Sequence, residues 1–365
     1  MRIIEFVLAI IVFFGINVYL FYRLYLMLPP ILPLRILLTV VSIVIQLPFF
    51  VALLWGNSLS TSLTTVLYKI GTAWIVIFVY LLIIFLVADI IRLTHLLNIG
   101  KFMFNSWAGW LFLLVSVSTC LILGNLNYYK KKRVEININI EKKLDTPFRI
   151  VAISDLHLGY GIGKNELENW ISLINKENAD VVFIAGDVID NYLKPLEEQK
   201  IYKTLRKINS KYGVYMALGN HEYIGDIKKN LVFLEKSNIN ILRDSAVLVQ
   251  DKFYVVGRED ASRKYRAKLS TIIEKLDTTK PLFIIDHQPV NIKEMESSNV
   301  DFQISGHTHN GQFFPINLIA KWIFGKSYGF FATDHSNLYI TSGIGIWGGK
   351  FRIGTQSEYV VINLF

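Results

Sequence analysis

The sequence predicts an α/β domain preceded by an all-α transmembrane region of about four helices. Three observations carry this. Charge is uneven along the 365 residues: positions 1–129 hold six Lys/Arg and two Asp/Glu, and positions 130–365 hold the other 32 and 27. Four long apolar stretches fall before residue 125. Beyond residue 130, short apolar runs alternate with amphipathic stretches of helical length. A wholly soluble single domain and a disordered chain are both excluded. The single cysteine, Cys120, lies in an apolar run, which excludes disulfide scaffolds and cysteine-rich zinc sites.

The apolar stretches are 6–22, 36–55, 72–91 and 107–123. Each is near the roughly 20 residues that cross a hydrocarbon core of about 30 Å. Trp55, Trp74, Trp107 and Trp110 sit near stretch ends, where amphipathic rings favour the headgroup region. Glu5 weakens a positive leader, and Leu28-Pro29-Pro30 replaces a small-residue cleavage site, so the first stretch reads as a retained span. Four spans put both termini on one side. That side carries Arg2, Lys69, Lys130, Lys131, Lys132 and Arg133; the other carries Arg23, Arg35, Arg92 and Lys101. The count leans toward a cytoplasmic catalytic part on an integral, multi-pass protein. Asp89, the one acid within a span, lies near its end, which points to the interface rather than to a polar pathway.

The basic cluster at 130–133 divides the chain. Its place beside the last span makes it membrane-surface charge rather than a nucleic-acid site. The expected divisions are a transmembrane region at 1–129, a juxtamembrane basic segment with a first strand at 130–146, and a catalytic domain at 147–365. Residues 134–140 alternate apolar and polar, as a half-buried strand does. Apolar runs at 149–154, 181–185, 214–218, 253–256, 282–285, 302–305, 338–341 and 359–364 predict further strands. Leu167, Trp170, Ile171 and Ile174 recur at helical spacing and predict a helix over 166–178; 195–209 predicts another.

The polar residues that follow these runs are of one kind. Ser154-Asp155-Leu156-His157 follows one strand and Gly186-Asp187-Val188-Ile189-Asp190 the next. Then come Gly219-Asn220-His221-Glu222, Asp286-His287 and Gly306-His307-Thr308-His309. In α/β sheets, ligands gather at the carboxyl ends of strands. Imidazole with carboxylate suits borderline divalent metals such as Mn, Fe or Zn. Five of the seven histidines stand in these positions; only His95 and His335 do not. Singly, the first three motifs are satisfied by a helix cap or a turn, whereas the two imidazoles of Gly306-His307-Thr308-His309 are costly to place without a ligand. All five in order are not explained that way.

These motifs, with Asn310-Gly311-Gln312 after the last, resemble the calcineurin-like metallophosphoesterase family. The resemblance covers about 147–365. The tail, from Gly343-Ile344-Gly345 through Phe351-Arg352-Ile353-Gly354 to Glu358-Tyr359-Val360-Val361, is similar to the family's membrane-associated YkuE/YaeI-like branch. It departs from the usual pattern at Glu222, where aspartate is usual, and at Asn310, where glycine is usual. The resemblance implies an αββα sandwich and a hydrolase of phosphate esters or pyrophosphates, with a hydroxide bridging two divalent metals. It implies one metal on Asp155, His157 and His309, the other on Asn220, His287 and His307, with Asp187 between them. His221 would be the catalytic proton donor rather than a ligand. Asp190 and Glu222 would act behind the ligands or toward substrate. The alternative is a catalytically silent metal-binding sensor or scaffold on a membrane anchor.

Two further segments bear on substrate. Residues 313–332 are very apolar, with Lys321 and Lys326 their only charges. They read either as a buried strand plus loop packed on the core, or as an apolar wall beside the metals that admits a lipid-linked phosphate. Members of the similar branch cleave UDP-diacylglucosamine, so the resemblance favours a lipid-linked substrate. Arg258, Arg263 and Arg266 form either a phosphate-binding cluster or a solvated loop. The expected partners are that substrate and the bilayer, with no nucleic acid.

Overall fold

The structure, a computed structural model, describes residues 3–95, 97–144, 147–333 and 336–365. Arg2, counted above among the charges flanking the spans, and His335 lie outside them. The chain forms two compact units, the first closing at Gly124 and the second running from Asn125 to Phe365.

The first unit is helical: α1 (Ile3–Met27), α2 (Leu32–Val44), α3 (Leu47–Trp55), α4 (Thr61–Leu93), the short α5 (Gly100–Met103) and most of α6 (Trp107–Tyr129). Among the described residues, three segments are long and apolar enough to cross a membrane: Leu32–Trp55, Thr61–Leu93 and Trp107–Tyr129. α1 itself runs 25 residues, of which Ile11–Met27 is the described apolar part, so the described residues give three candidate spans and one shorter apolar helix and leave the expected fourth span unconfirmed. The second stretch is also interrupted. Pro48 stands in the first turn of α3, where its missing N–H costs nothing, and the chain restarts its helix there. α4 starts well before its apolar run because Ser60 caps it, accepting from the Leu63 N–H at 3.4 Å, and so it encloses Lys69. Asp89 is not solitary: Arg23 of α1 pairs with it at 2.7 Å and the Tyr19 hydroxyl donates to it at 2.6 Å.

Among its described residues the second unit holds twelve strands: β1 (Lys132–Ile138), β2 (Phe148–Ile153), β3 (Val181–Ala185), β4 (Val214–Ala217), β5 (Asn240–Leu242), β6 (Ser245–Val249), β7 (Phe253–Gly257), β8 (Leu282–Ile285), β9 (Phe302–Ser305), β10 (Gly329–Ala332), β11 (Asn337–Ile340) and β12 (Glu358–Leu364). They form two six-stranded sheets, β1-β12-β2-β3-β4-β5 and β10-β11-β9-β8-β7-β6. In the first, β2 to β5 run parallel and β12 is antiparallel to β2. In the second, β7, β8, β9 and β11 run parallel, with β6 and β10 as antiparallel edges.

Alternation along each strand explains the stacking. Ile150, Ala152 and Phe183 of the first sheet meet Phe253, Phe283 and Phe302 of the second in one core. The intervening Val151, Ile153, Val182 and Ile184 turn outward onto helices α7 (Lys164–Lys176), α8 (Lys194–Glu198) and α9 (Ile201–Leu205). The short α10 (His221–Ile224) and the longer α11 (Ile227–Glu235) follow β4. The outer face of the second sheet packs on α12 (Leu269–Ile273) and α13 (Ile292–Glu296) through Leu269 and Met295. Strands buried on both faces read as unbroken apolar runs, which is why they were visible in the sequence.

Two expectations are corrected. The helix over 195–209 is two pieces, α8 and α9, because Lys200 between them takes a left-handed conformation at φ 53°. The stretch 313–332 is not a buried strand and loop. It forms α14 (Ile316–Phe324), whose Leu318, Ile319, Trp322 and Ile323 are exposed, and then edge strand β10. An apolar stripe at helical spacing fits either a core or a membrane surface, and here the stripe is not covered by the fold.

Candidate metal centre

The parallel strands deliver the polar motifs to one rim. Asp155 and His157 follow β2, Asp187 follows β3, and Asn220 and His221 follow β4, all from the first sheet. His287 follows β8, and His307 and His309 follow β9, from the second. Backbone bonds lace the loops together: the Asp155 N–H donates to the Gly186 carbonyl at 3.1 Å and the His157 N–H to the Asp187 carbonyl at 3.0 Å. Asp155, His157, Asp187, His307 and His309 all have positive φ, between 45° and 68°. Non-glycine residues rarely adopt that region, and each costs about 1–3 kcal/mol. Five such residues in one cluster mark a built site. Glycine is needed at two neighbours. A Cβ on Gly219 would fall on the Asp187 carboxylate, and one on Gly306 on that of Asp155.

The donors fall into groups. Atoms of Asp155, His157 and His309 lie within 4.8 Å of one another, as do those of Asp187, His287 and His307. The Nε2 atoms of His157 and His309 face each other at 3.1 Å, and His309 Nε2 is 3.4 Å from Asp155 Oδ1. Asp187 Oδ2 is 3.8 Å from His157 Nε2 and 3.2 Å from His287 Nε2, so this carboxylate lies between the groups. Asn220 Oδ1 is 3.1 Å from His287 Nε2. His157, Asp187 and His221 form a third grouping within the same reach. Carboxylate oxygen, amide oxygen and imidazole nitrogen together fit a divalent ion of the Mn, Fe or Zn type.

Protonation divides the imidazoles, and two of them are held neutral. Burial, reinforced by His287, pushes His307 down to about 4, and burial with the neighbouring His157 holds His309 well below its usual value. Both imidazoles are therefore neutral and able to bind a cation. Burial raises Asp187, but His287 outweighs this and keeps its carboxylate ionised. Burial lowers His287, yet Asp187 holds it well above the ordinary range. Burial and His157 lower His221.

The remaining expected residues surround this set. The His221 Nδ1–H donates to the Asp190 carbonyl at 2.7 Å, which turns Nε2 toward the site. The Asp190 carboxylate lies 3.5 Å from His157 Nδ1 and 3.6 Å from His221 Nδ1. Glu222, fully buried, accepts backbone N–H groups from Asp187, Val188, Ile189 and Gly219 at 2.7–3.1 Å, so it secures the loops after β3 and β4. Arg258 is buried; its Nη2 donates to the Ala267 carbonyl and its Nε is 3.5 Å from Asp244. Arg266 is bonded to Asp286, and Arg263 lies over the Tyr223 ring at 4.7 Å.

Two residues were missed. Arg352 is buried and donates to the carbonyls of His309, Ser342 and Gly345 and to the Ser357 hydroxyl, fixing the His309 loop. Phe324, at the end of α14, sets its ring edge-on to His307 with centroids 5.8 Å apart. The sequence placed both inside quoted segments, but nothing in their spacing tied them to a ligand.

The family model described as calcineurin-like phosphoesterase matches residues 148–311. An uncharacterized metallophosphoesterase of Campylobacter jejuni is 34% identical over 262 residues, covering 69% of this chain and 68% of that protein. The chain belongs to the metallophosphoesterase family. This metallophosphoesterase is also 28% identical to a Danio rerio transmembrane protein with metallophosphoesterase domain, over 64% of this chain and 57% of that protein. It is 27% identical to the uncharacterized metallophosphoesterase YkuE of Bacillus subtilis, over 60% of this chain and 79% of that one. The match thus spans little more than half of the Danio rerio relative. Family membership makes this a phosphoester hydrolase fold with a metal-capable His/Asp cluster. The apolar helices and the transmembrane relatives point to membrane association.

Proposed function

We propose that this metallophosphoesterase hydrolyses a lipid-linked phosphate ester or pyrophosphate with two divalent ions. Asp155, His157 and His309 would hold one; Asn220, His287 and His307 would hold the other, with Asp187 shared. The carrying observation is the convergence of both donor groups on either side of Asp187. Two divalent ions there would lower the pKa of a water and draw charge from the phosphoryl oxygens. The chain's own residues do the rest. The water would release one proton to solvent as its oxygen bonds to phosphorus, and the bond from phosphorus to the leaving oxygen would break. His221, made a stronger acid by burial and by His157, would give up its Nε2 proton from the imidazolium form to that oxygen. Its orientation is set by the Asp190 carbonyl. Support for a lipid-linked substrate comes from the exposed face of α14, whose Phe324 adjoins His307.

The test uses full-length protein in detergent with Mn(II) and a nitrophenyl phosphodiester or monoester. Asp187→Ala and His307→Ala reduce turnover to background. Wild type and both variants turning over alike, with metal bound, would overturn the reading. His221→Ala separates a hydrolase from a silent metal sensor: turnover falls about 10²–10⁴-fold while metal content persists.

A further inference from the structure

A cavity of about 960 Å³ adjoins the His287–His307 end of the site. Its wall includes Gln288, next to His287, and Phe324, whose ring meets His307. Four cations line it, Arg258, Arg266, Lys268 and Lys293, against one carboxylate, Glu294. The Arg266 side chain is more than nine-tenths buried; Nη2 bonds to Asp286, while Nε and Nη1 are buried without a hydrogen-bond partner. Arg258 Nε is likewise without one, though Asp244 and Glu294 stand 3.5 and 3.7 Å from its guanidinium. Buried unpaired donors cost about 1–3 kcal/mol each. Both arginines line the cavity wall, and an anionic ligand that drew a guanidinium toward the cavity would pair these donors.

The position of this cavity narrows the substrate. His221 packs on His157, ring centroids 4.6 Å apart. The cavity instead adjoins the pair His287 and His307, whose rings are 5.1 Å apart, through Gln288 and Phe324. A group bound there is therefore not the one that receives the His221 proton. It belongs to the part of the substrate that stays on phosphorus. A monoester has no such part.

We infer that this cavity binds a second anionic group, a phosphate or carboxylate, on the retained arm of a phosphodiester or pyrophosphate. The inference rests on the hydrolase reading above and adds a substrate class to it.

The test compares two nitrophenyl phosphodiesters whose second arm is propyl or 2-carboxyethyl, with Mn(II)-loaded full-length protein. Wild type favours the carboxyethyl arm about tenfold in kcat/KM, as a charged hydrogen bond gives, and mainly through KM. Arg266→Ala brings the ratio near one. Lys268→Ala, on the exposed rim, lowers it less and guards against misfolding of the buried variant. A wild-type ratio near one, or a ratio unchanged in both variants, overturns the inference and leaves the hydrolase reading intact. If wild type cleaves neither ester, the hydrolase reading fails. Calorimetry with methylenediphosphonate then decides the inference: about tenfold weaker binding in Arg266→Ala upholds it, and equal affinity overturns it.

Discussion

Glu222 has two oxygens and serves four backbone donors, from Asp187, Val188, Ile189 and Gly219. Arg352 does the converse, offering its guanidinium to three carbonyls and a hydroxyl. One holds the loops after β3 and β4; the other holds the loop after β9. Burial pushes Arg352 down to about 10, still well above neutral pH, so a full cation is kept inside the domain to fix His309. Partners behind metal ligands typically carry about 10–100-fold in metal affinity. Arg352→Met therefore weakens Mn(II) binding by about that factor, read by metal titration of folded protein, and Arg352→Lys recovers part of it. A Met variant that binds Mn(II) like wild type would show that the His309 loop holds itself.

Among the elements, legibility followed burial. β3, β8 and β9 lie where the apolar runs 181–185, 282–285 and 302–305 placed them, because both faces of each are covered. β5, β6 and β10 went unseen: they are short edge strands, three to five residues long and largely half-buried or exposed. Too few of their side chains are buried to impose a period. The motif residues were readable because each follows a legible strand. The αL loops that aim them were not, since Asp155 and His157 carry no glycine to announce a positive φ. α14 was ambiguous for another reason: periodicity reports an apolar face but not what covers it. Its Trp322 is 85% exposed. The bilayer is the partner that fits Trp322, Leu318, Ile319 and Ile323 beside Lys321. Replacing Leu318, Trp322 and Ile323 together by Ser is expected to lower binding to anionic vesicles. It should also lower the ratio of turnover on a vesicle-borne phosphodiester to turnover on a nitrophenyl diester by about tenfold or more, given roughly 25 cal/mol per Å² of apolar area. Vesicle sedimentation with parallel assays checks this; an unchanged ratio removes α14 from the lipid argument.

Across the whole chain, two solvents select two kinds of unit. The helices before Gly124 leave many apolar side chains outward, among them Leu111, Phe112, Leu114 and Val115, and pair Asp89 with Arg23 within the bundle. The unit from Asn125 onward buries apolar runs between two sheets and gathers its histidines at one rim, His307 and His309 among them both strained and neutral. That rim sets Nε2 of His157 against Nε2 of His309 at 3.1 Å, an arrangement that one shared proton or a cation satisfies. Ions that bind the folded rim and not the unfolded chain must stabilise the second unit. At 100 times the dissociation constant the gain is about 2.7 kcal/mol. For a domain of this size each kcal/mol moves the transition about 2–4 °C. Mn(II) is thus expected to raise the thermal transition of the detergent-solubilised protein by about 5–10 °C, and a chelator to reverse it. Asp187→Asn, which weakens the group shared by both donor sets, should erase most of the shift. A transition that ignores Mn(II) in wild type, or responds equally in Asp187→Asn, would mean that the rim does not hold its ions through Asp187.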